Sequence, residues 1–299
     1  MGKAANVRIT PARMVGVLGA AAKPKVVWQK QFDYFDEELV RLSQTDWDKV
    51  PDLWYYFHDL AYVDLQPDLF RHLFPACLKY WYGTLMRGDS ADRGGEDFHR
   101  ALIEGQISDK MLTPNEREAL VEFFRDGFLD RVEAQGDLSY DPGGKVANAW
   151  ICRFNSLGIV APVTGQIWDA WWMLNHPGKA RCAVMYASGL VYLKGENPIY
   201  AAWTPEQGGG GPYLTEIDGS IFGRGWREDN LEFLKKTLSV DYITAKLDQA
   251  ARELAGFPEA ALVSQVANDA RGRADVIELR IDDLLDNLAR VELDKDFWD

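Results

Sequence analysis

Residues 181–195 read RCAVMYASGLVYLKG. Apolar residues flank Ser188-Gly189 on both sides, and the pattern predicts two short strands meeting at a tight turn. A second stretch, PYLTEIDGSIFGRGW at 212–226, turns on Asp218-Gly219, a pair that tolerates the positive φ angles a tight hairpin needs. These two hairpins set the expected fold as α+β: mainly α-helical, with a small antiparallel β-hairpin or meander region in the middle.

Outward from that middle, helical periodicity dominates. EELVRL, the segment 52–63, a long segment from Pro67 and TPNEREALVEFFRDGFLDRV each repeat apolar residues at steps of three and four. The last of these opens with Thr113, Pro114 and Glu116, a T-x-x-E capping box with proline at the first helical position. From Pro67, one stripe holds Phe70, Phe74, Cys77, Leu78, Trp81 and Leu85, opposite His72 and Lys79. His72 is therefore expected to be exposed and Cys77 buried, and Pro75 is expected to kink or split the helix. GDLSYDPGG at 136–144 is rich in helix breakers and reads as a joint between a helical region at 1–136 and an α+β region at 145–299 that ends in helices. In the last helix Ile277, Ile281, Leu284, Leu288 and Val291 form a seam suited to another helix, internal or from a second chain.

The 299 residues carry 33 Lys and Arg against 46 Asp and Glu, a formal charge of -13. Such a chain repels phosphate backbones and anionic lipid, so neither nucleic acid nor a membrane is an expected partner, and a basic protein is. Cys77, Cys152 and Cys182 are far apart and include no C-x-x-C pair, which argues against a disulfide framework or a thiolate metal site. MVGVLGAAA near the N-terminus is too short and glycine-broken for a signal peptide, and the expected compartment is the cytoplasm.

No H-E-x-x-H, G-x-S-x-G, P-loop or G-x-G-x-x-G in a strand-to-helix setting is present, so no cofactor and no metal is expected. The GGGG at 208–211 lacks the Lys-Ser/Thr that a phosphate loop requires. An enzyme would have to assemble its site in the middle segment from Cys152, His176, Glu216, Asp218 and Arg224. His58 and Asp59 are neighbours on one helical pattern, point about 100° apart and cannot form a base with its orienting carboxylate. The GRGWRE run, with Arg224, Trp226 and Arg227, could clamp an anion or cap the sheet against the following helix.

The negative charge is concentrated. Residues 33–68 have ten acids against Arg41 and Lys49, and residues 275–299 have nine against Arg280, Arg290 and Lys295. Acid side chains in such concentrations keep a protein soluble or steer a basic partner. The candidate partner-binding residues are Asp36, Glu37, Asp46, Trp47, Asp282, Asp283, Asp286 and Trp298, with the carboxylates meeting Lys and Arg and the indoles serving as anchors.

PDLFRHLFPACLKYWYGTLM at 67–86 and ISDKMLTPNEREALVEFFRDGF at 107–128 resemble a family of uncharacterised bacterial helical proteins. The shared features are an F-x-x-x-F-P-A helix, here Phe70, Phe74, Pro75 and Ala76, and an L-T-P-x-x-R helix, here Leu112, Thr113, Pro114 and Arg117. Acidic members of such families are similar in kind to immunity proteins, which occlude a cognate toxin. The resemblance implies an acidic binding protein that neutralises a basic toxin or effector domain, and it transfers no catalytic residue. The rival expectations are an enzyme with its site in the middle segment and an oligomeric scaffold built on the C-terminal seam.

Overall fold

The computed structural model describes residues 8–29, 64–87, 93–138, 145–193, 196–200 and 224–289. These carry twelve α-helices, one 3-10 turn and, among the described residues, no β-strand. The chain divides into two units, with the division between Gly127 and Phe128 inside one helix.

The first unit holds α1 (Pro11–Leu18), α2 (Pro67–Arg87), α3 (Arg93–Glu104), α4 (Ile107–Lys110) and the part of α5 (Pro114–Glu133) up to Gly127. Thr10 caps α1 by accepting the Arg13 N–H at 3.3 Å, with Pro11 following in the first turn. The α2 stripe of Phe70, Phe74, Cys77, Leu78, Trp81 and Leu85 is buried. Pro75 lies inside one helix and does not split it. His72 is half-buried, its Nδ1 2.9 Å from the Ala21 carbonyl oxygen, so it is less exposed than helical spacing alone suggests. Trp81 donates from Nε1 to Nε2 of the fully buried His99 at 2.9 Å, within a shell of Phe98, Phe123 and Phe124. Because that nitrogen accepts, His99 is neutral here.

The capping box of α5 forms as its sequence requires. Glu116 accepts from the Thr113 N–H at 2.8 Å and from its hydroxyl at 2.9 Å, and pairs with Arg71 at 2.9 Å. Burial pushes the Glu116 carboxyl up, but these donors outweigh it and hold the group below its ordinary value.

The second unit contains the end of α5 from Phe128, then α6 (Lys145–Val160), α7 (Thr164–Trp171), α8 (Pro177–Val191), a 3-10 turn (Pro198–Tyr200), α9 (Glu228–Thr237), α10 (Val240–Glu253), α11 (Ala260–Gly272) and α12 (Ala274–Ala289). The hairpin expected at 181–195 is overturned: 181–191 belong to α8, and Ser188-Gly189 lies in its last turn. His176 caps this helix by accepting the Gly178 N–H on Nδ1 at 3.1 Å, and Pro177 occupies the first turn. Thirteen of its fifteen residues are buried, and it packs against α6, α10, α11 and α12. A helix surrounded on every side has no polar face, so the period of 3.6 that marks a surface helix is missing and a short apolar run imitates strands. The second expected hairpin lies outside the described residues up to 223. Residues 224–227 are irregular, with the Trp226 N–H donating to the Leu288 carbonyl at 2.8 Å, so GRGWRE caps no sheet among the described residues.

Rings fill the interior of this unit. Phe128, Trp150, Phe154, Trp168, Trp171, Trp172, Tyr186 and Trp226 are buried and meet one another mostly edge to face. Asn230 ties three elements together: its amide donates to the carbonyls of Gly158 at 2.8 Å and Ala161 at 2.7 Å, and its oxygen accepts the Thr164 N–H at 3.2 Å. Two glycines permit the closest approaches. A Cβ at Gly158 would lie 2.3 Å from the Trp226 ring, and one at Gly178 would lie 2.4 Å from the Glu133 carbonyl oxygen.

Three outcomes are expected. Gly178→Ala, pressed on backbone that has no rotamer to escape into, should lower unfolding free energy by roughly 1–3 kcal/mol. Gly272→Ala, whose Cβ meets nothing within 4 Å, should raise it by about 0.5 kcal/mol, and urea unfolding of both variants checks the pair. Since the native Glu116 carboxyl is depressed, its contribution is complete above the ordinary value of 4.5 and is lost as pH falls through the lower native value. Glu116→Gln should therefore lower stability at neutral pH and flatten its acid limb, read from urea midpoints between about pH 3 and about pH 6.

Candidate acidic interface

α12 is two-sided. Ile277, Ile281, Leu284 and Leu288 are buried against α8, α9, α10 and α11, so the described part of the C-terminal seam is used within the chain, while Val291 lies outside the described residues. On the opposite side Asp275, Leu279, Asp282 and Asp286 follow one another at steps of four, three and four, which places them in one stripe. All four are exposed, and Leu279 is 55% exposed at the centre of the carboxylates. Glu278 and Asp283 flank the stripe, also exposed.

Asp275, Glu278, Asp282 and Asp286 have no ion pair among the described residues. Only Asp283 is matched, by Arg280 at 3.7 Å, and Arg280 also donates to the Gly189 carbonyl at 3.3 Å. A half-exposed pair of that length contributes little. The electrostatics of the ridge are locally unfavourable. Asp282 and Asp286 are like charges one turn apart, and the last turn of α12 has no basic residue to answer the partial negative charge of the helix C-terminus.

Of the residues expected to bind a partner, Asp282, Asp283 and Asp286 therefore share this surface. Asp36, Glu37, Asp46, Trp47 and Trp298 lie outside the described residues. Sequence reading missed Asp275, Glu278 and Leu279, although their spacing from Asp282 is the signal that would have included them. Of the residues an enzyme would draw on, Cys152, His176 and Arg224 are described, and no hydrogen bond joins His176 to either of the others. His176 uses Nδ1 to cap α8. Cys152 is half-buried in α6, Arg224 is exposed, and Glu216 and Asp218 lie outside the described residues. Ser188, the serine beside Gly189, donates to the Met185 carbonyl within its own helix at 2.9 Å. Burial pushes the Cys77 thiol well up and the Cys182 thiol up to about 12, which disfavours the thiolate form of both.

Among the described residues no group of three or more His, Cys, Asp or Glu could hold a metal ion, and no helix is long and apolar enough to cross a membrane. No protein-family model matches the chain, and neither a curated protein nor a solved structure matches it significantly.

Replacing Asp282 and Asp286 together with asparagine should raise unfolding free energy by about 0.3–1 kcal/mol at low ionic strength, because a like-charge pair and a carboxylate in the last helical turn disappear. The gain should shrink as sodium chloride is added, which guanidine-free urea unfolding at two salt concentrations measures.

Proposed function

We propose that the chain is an acidic binding protein that takes a basic protein partner on the outward face of α12 and acts by occluding it. The observation that carries this reading is the stripe of Asp275, Asp282 and Asp286, exposed and unmatched by ion pairs among the described residues, around an exposed Leu279. The carboxylates would steer a Lys- and Arg-rich surface and fix its orientation. Leu279 would supply an apolar anchor inside the polar ring, where loss of water makes a small contact count. The formal charge of -13 favours such a partner and disfavours nucleic acid and anionic membranes. The local cost of the ridge supports the same reading, since charges that weaken their own helix regain favourable partners only when a cationic surface covers them. A toxin or effector domain as the partner, and hence an immunity protein, is what the sequence resemblance adds.

The test uses tagged full chain on cell lysate, washed at low and at high salt, followed by titration of any stoichiometric captured protein. A basic protein released at high salt is expected. Asp275→Asn/Asp282→Asn/Asp286→Asn should slow its association by about tenfold and flatten its salt dependence, and Leu279→Ala should speed dissociation. Unchanged association and unchanged salt dependence in the triple variant would remove α12 from the contact.

A further inference from the structure

Arg131 stands in the last turn of α5, in the second unit, and is only 5% exposed. Its guanidinium makes one hydrogen bond, from Nη2 to Oε1 of the buried Gln135 at 3.0 Å. The Nε–H is sealed from solvent and meets no acceptor. Among the described residues no carboxylate pairs with it and no aromatic ring lies beneath it. Its buried neighbours on α8 are differently served. Lys179 pairs with Glu133 at 3.1 Å and donates to the Ala170 carbonyl at 2.9 Å. Arg181 pairs with Glu259, donates to the Gln135 carbonyl at 3.1 Å and covers the Phe257 ring at 4.8 Å.

The remaining group that could answer Arg131 is the Cys182 thiol, which feels both Arg131 and Arg181 but is driven by burial to keep its proton. Its Sγ lies 3.8 Å from the Val132 carbonyl oxygen. An interior guanidinium with neither a counter-ion nor a ring is rare, because a buried charge is normally paired and hydrogen-bonded. The segment that follows it in sequence reaches the surface. Ala134, Gly136 and Asp137 are exposed, and a Cβ built on Gly136 meets nothing within 4 Å.

We infer that Arg131 anchors an anion site in the second unit, and that its ligand is a small oxyanion whose two oxygens engage the Nε–H and a terminal N–H side by side. A guanidinium presents its donors as a planar fork, which matches two oxygens of a carboxylate or a phosphate and does not match a monatomic ion. Arg181 adds a second positive charge nearby while its own donors stay occupied by Glu259 and Gln135. This site is independent of the acidic ridge on α12, so the fate of either leaves the other standing.

The experiment is thermal unfolding of the full chain in titrations of sodium phosphate and of sodium acetate, each against sodium chloride at matched ionic strength. A saturable rise in Tm with phosphate or acetate, absent in chloride, is expected, and the arm that saturates distinguishes phosphate from carboxylate as the source. Arg131→Met should abolish the response and raise Tm in chloride, since an unmatched interior charge has gone. Arg131→Lys keeps the charge without the paired donors and should weaken the apparent affinity about tenfold, which preserves the test if the methionine variant does not fold. No saturable response in either oxyanion, or an equal response in the Arg131 variants, overturns the proposal.

Discussion

The burial of α8 on every side governs the second unit. With thirteen of fifteen residues inside, this helix needs neighbours all round, and α6, α10, α11 and α12 supply them. Its N-terminal end presses onto the last carbonyls of α5, an approach that only a residue without Cβ allows at Gly178. The same contact sets Lys179 against Glu133 and the Cys182 thiol against the Val132 carbonyl. Cations near a helix C-terminus are favourably placed, so the polar groups of α8 stabilise the end of α5 instead of opposing the burial.

Around that axis the unit is held by a core of rings and a few buried polar ties. Tyr186 on α8 meets Phe154, Trp168, Trp171 and Trp172 nearly at right angles, the geometry in which positive ring edges face negative ring faces. Asn230 performs a separate task, since it satisfies two carbonyls at the end of α6 and one N–H at the start of α7. Gly158 and Ala161 also accept the Arg227 and Val163 N–H groups, so the group that depends on Asn230 is the buried Thr164 N–H, and leaving it unpaired would cost more than a hydrogen bond contributes.

Charge is sorted across this architecture. Arg131, Arg153, Lys179 and Arg181 are buried in the second unit, whereas the carboxylates of α12 are outside. Burying cations in an acidic chain leaves the exposed surface with fewer positive charges to offset its acids than composition alone implies. The outer ridge of α12 and the lone guanidinium of Arg131 are two consequences of that sorting. Among the described residues, one exposes negative charge without a counter-ion, and the other encloses positive charge without one.

Where an element has one wet face, its sequence was legible. The α2 stripe from Phe70 to Leu85, the Thr113–Glu116 capping box and the buried seam of α12 follow from helical spacing and local hydrogen-bond chemistry, which act within a few residues. Asp282, Asp283 and Asp286 were legible as an acidic group for the same reason. The identity of 181–191 as helix was not, because full burial erases the alternation of polar and apolar residues from which a period is read. Nor could local spacing show that His176 would use its ring nitrogen as a helix cap, or that the Arg131 Nε–H would lie inside without an acceptor. By itself the sequence determined the amphipathic helices, their caps and the acidic balance, all short-range properties of the chain. Only the tertiary structure decided which apolar run becomes the enclosed helix and which charges are left unmatched, because burial and counter-ions depend on segments far apart in sequence.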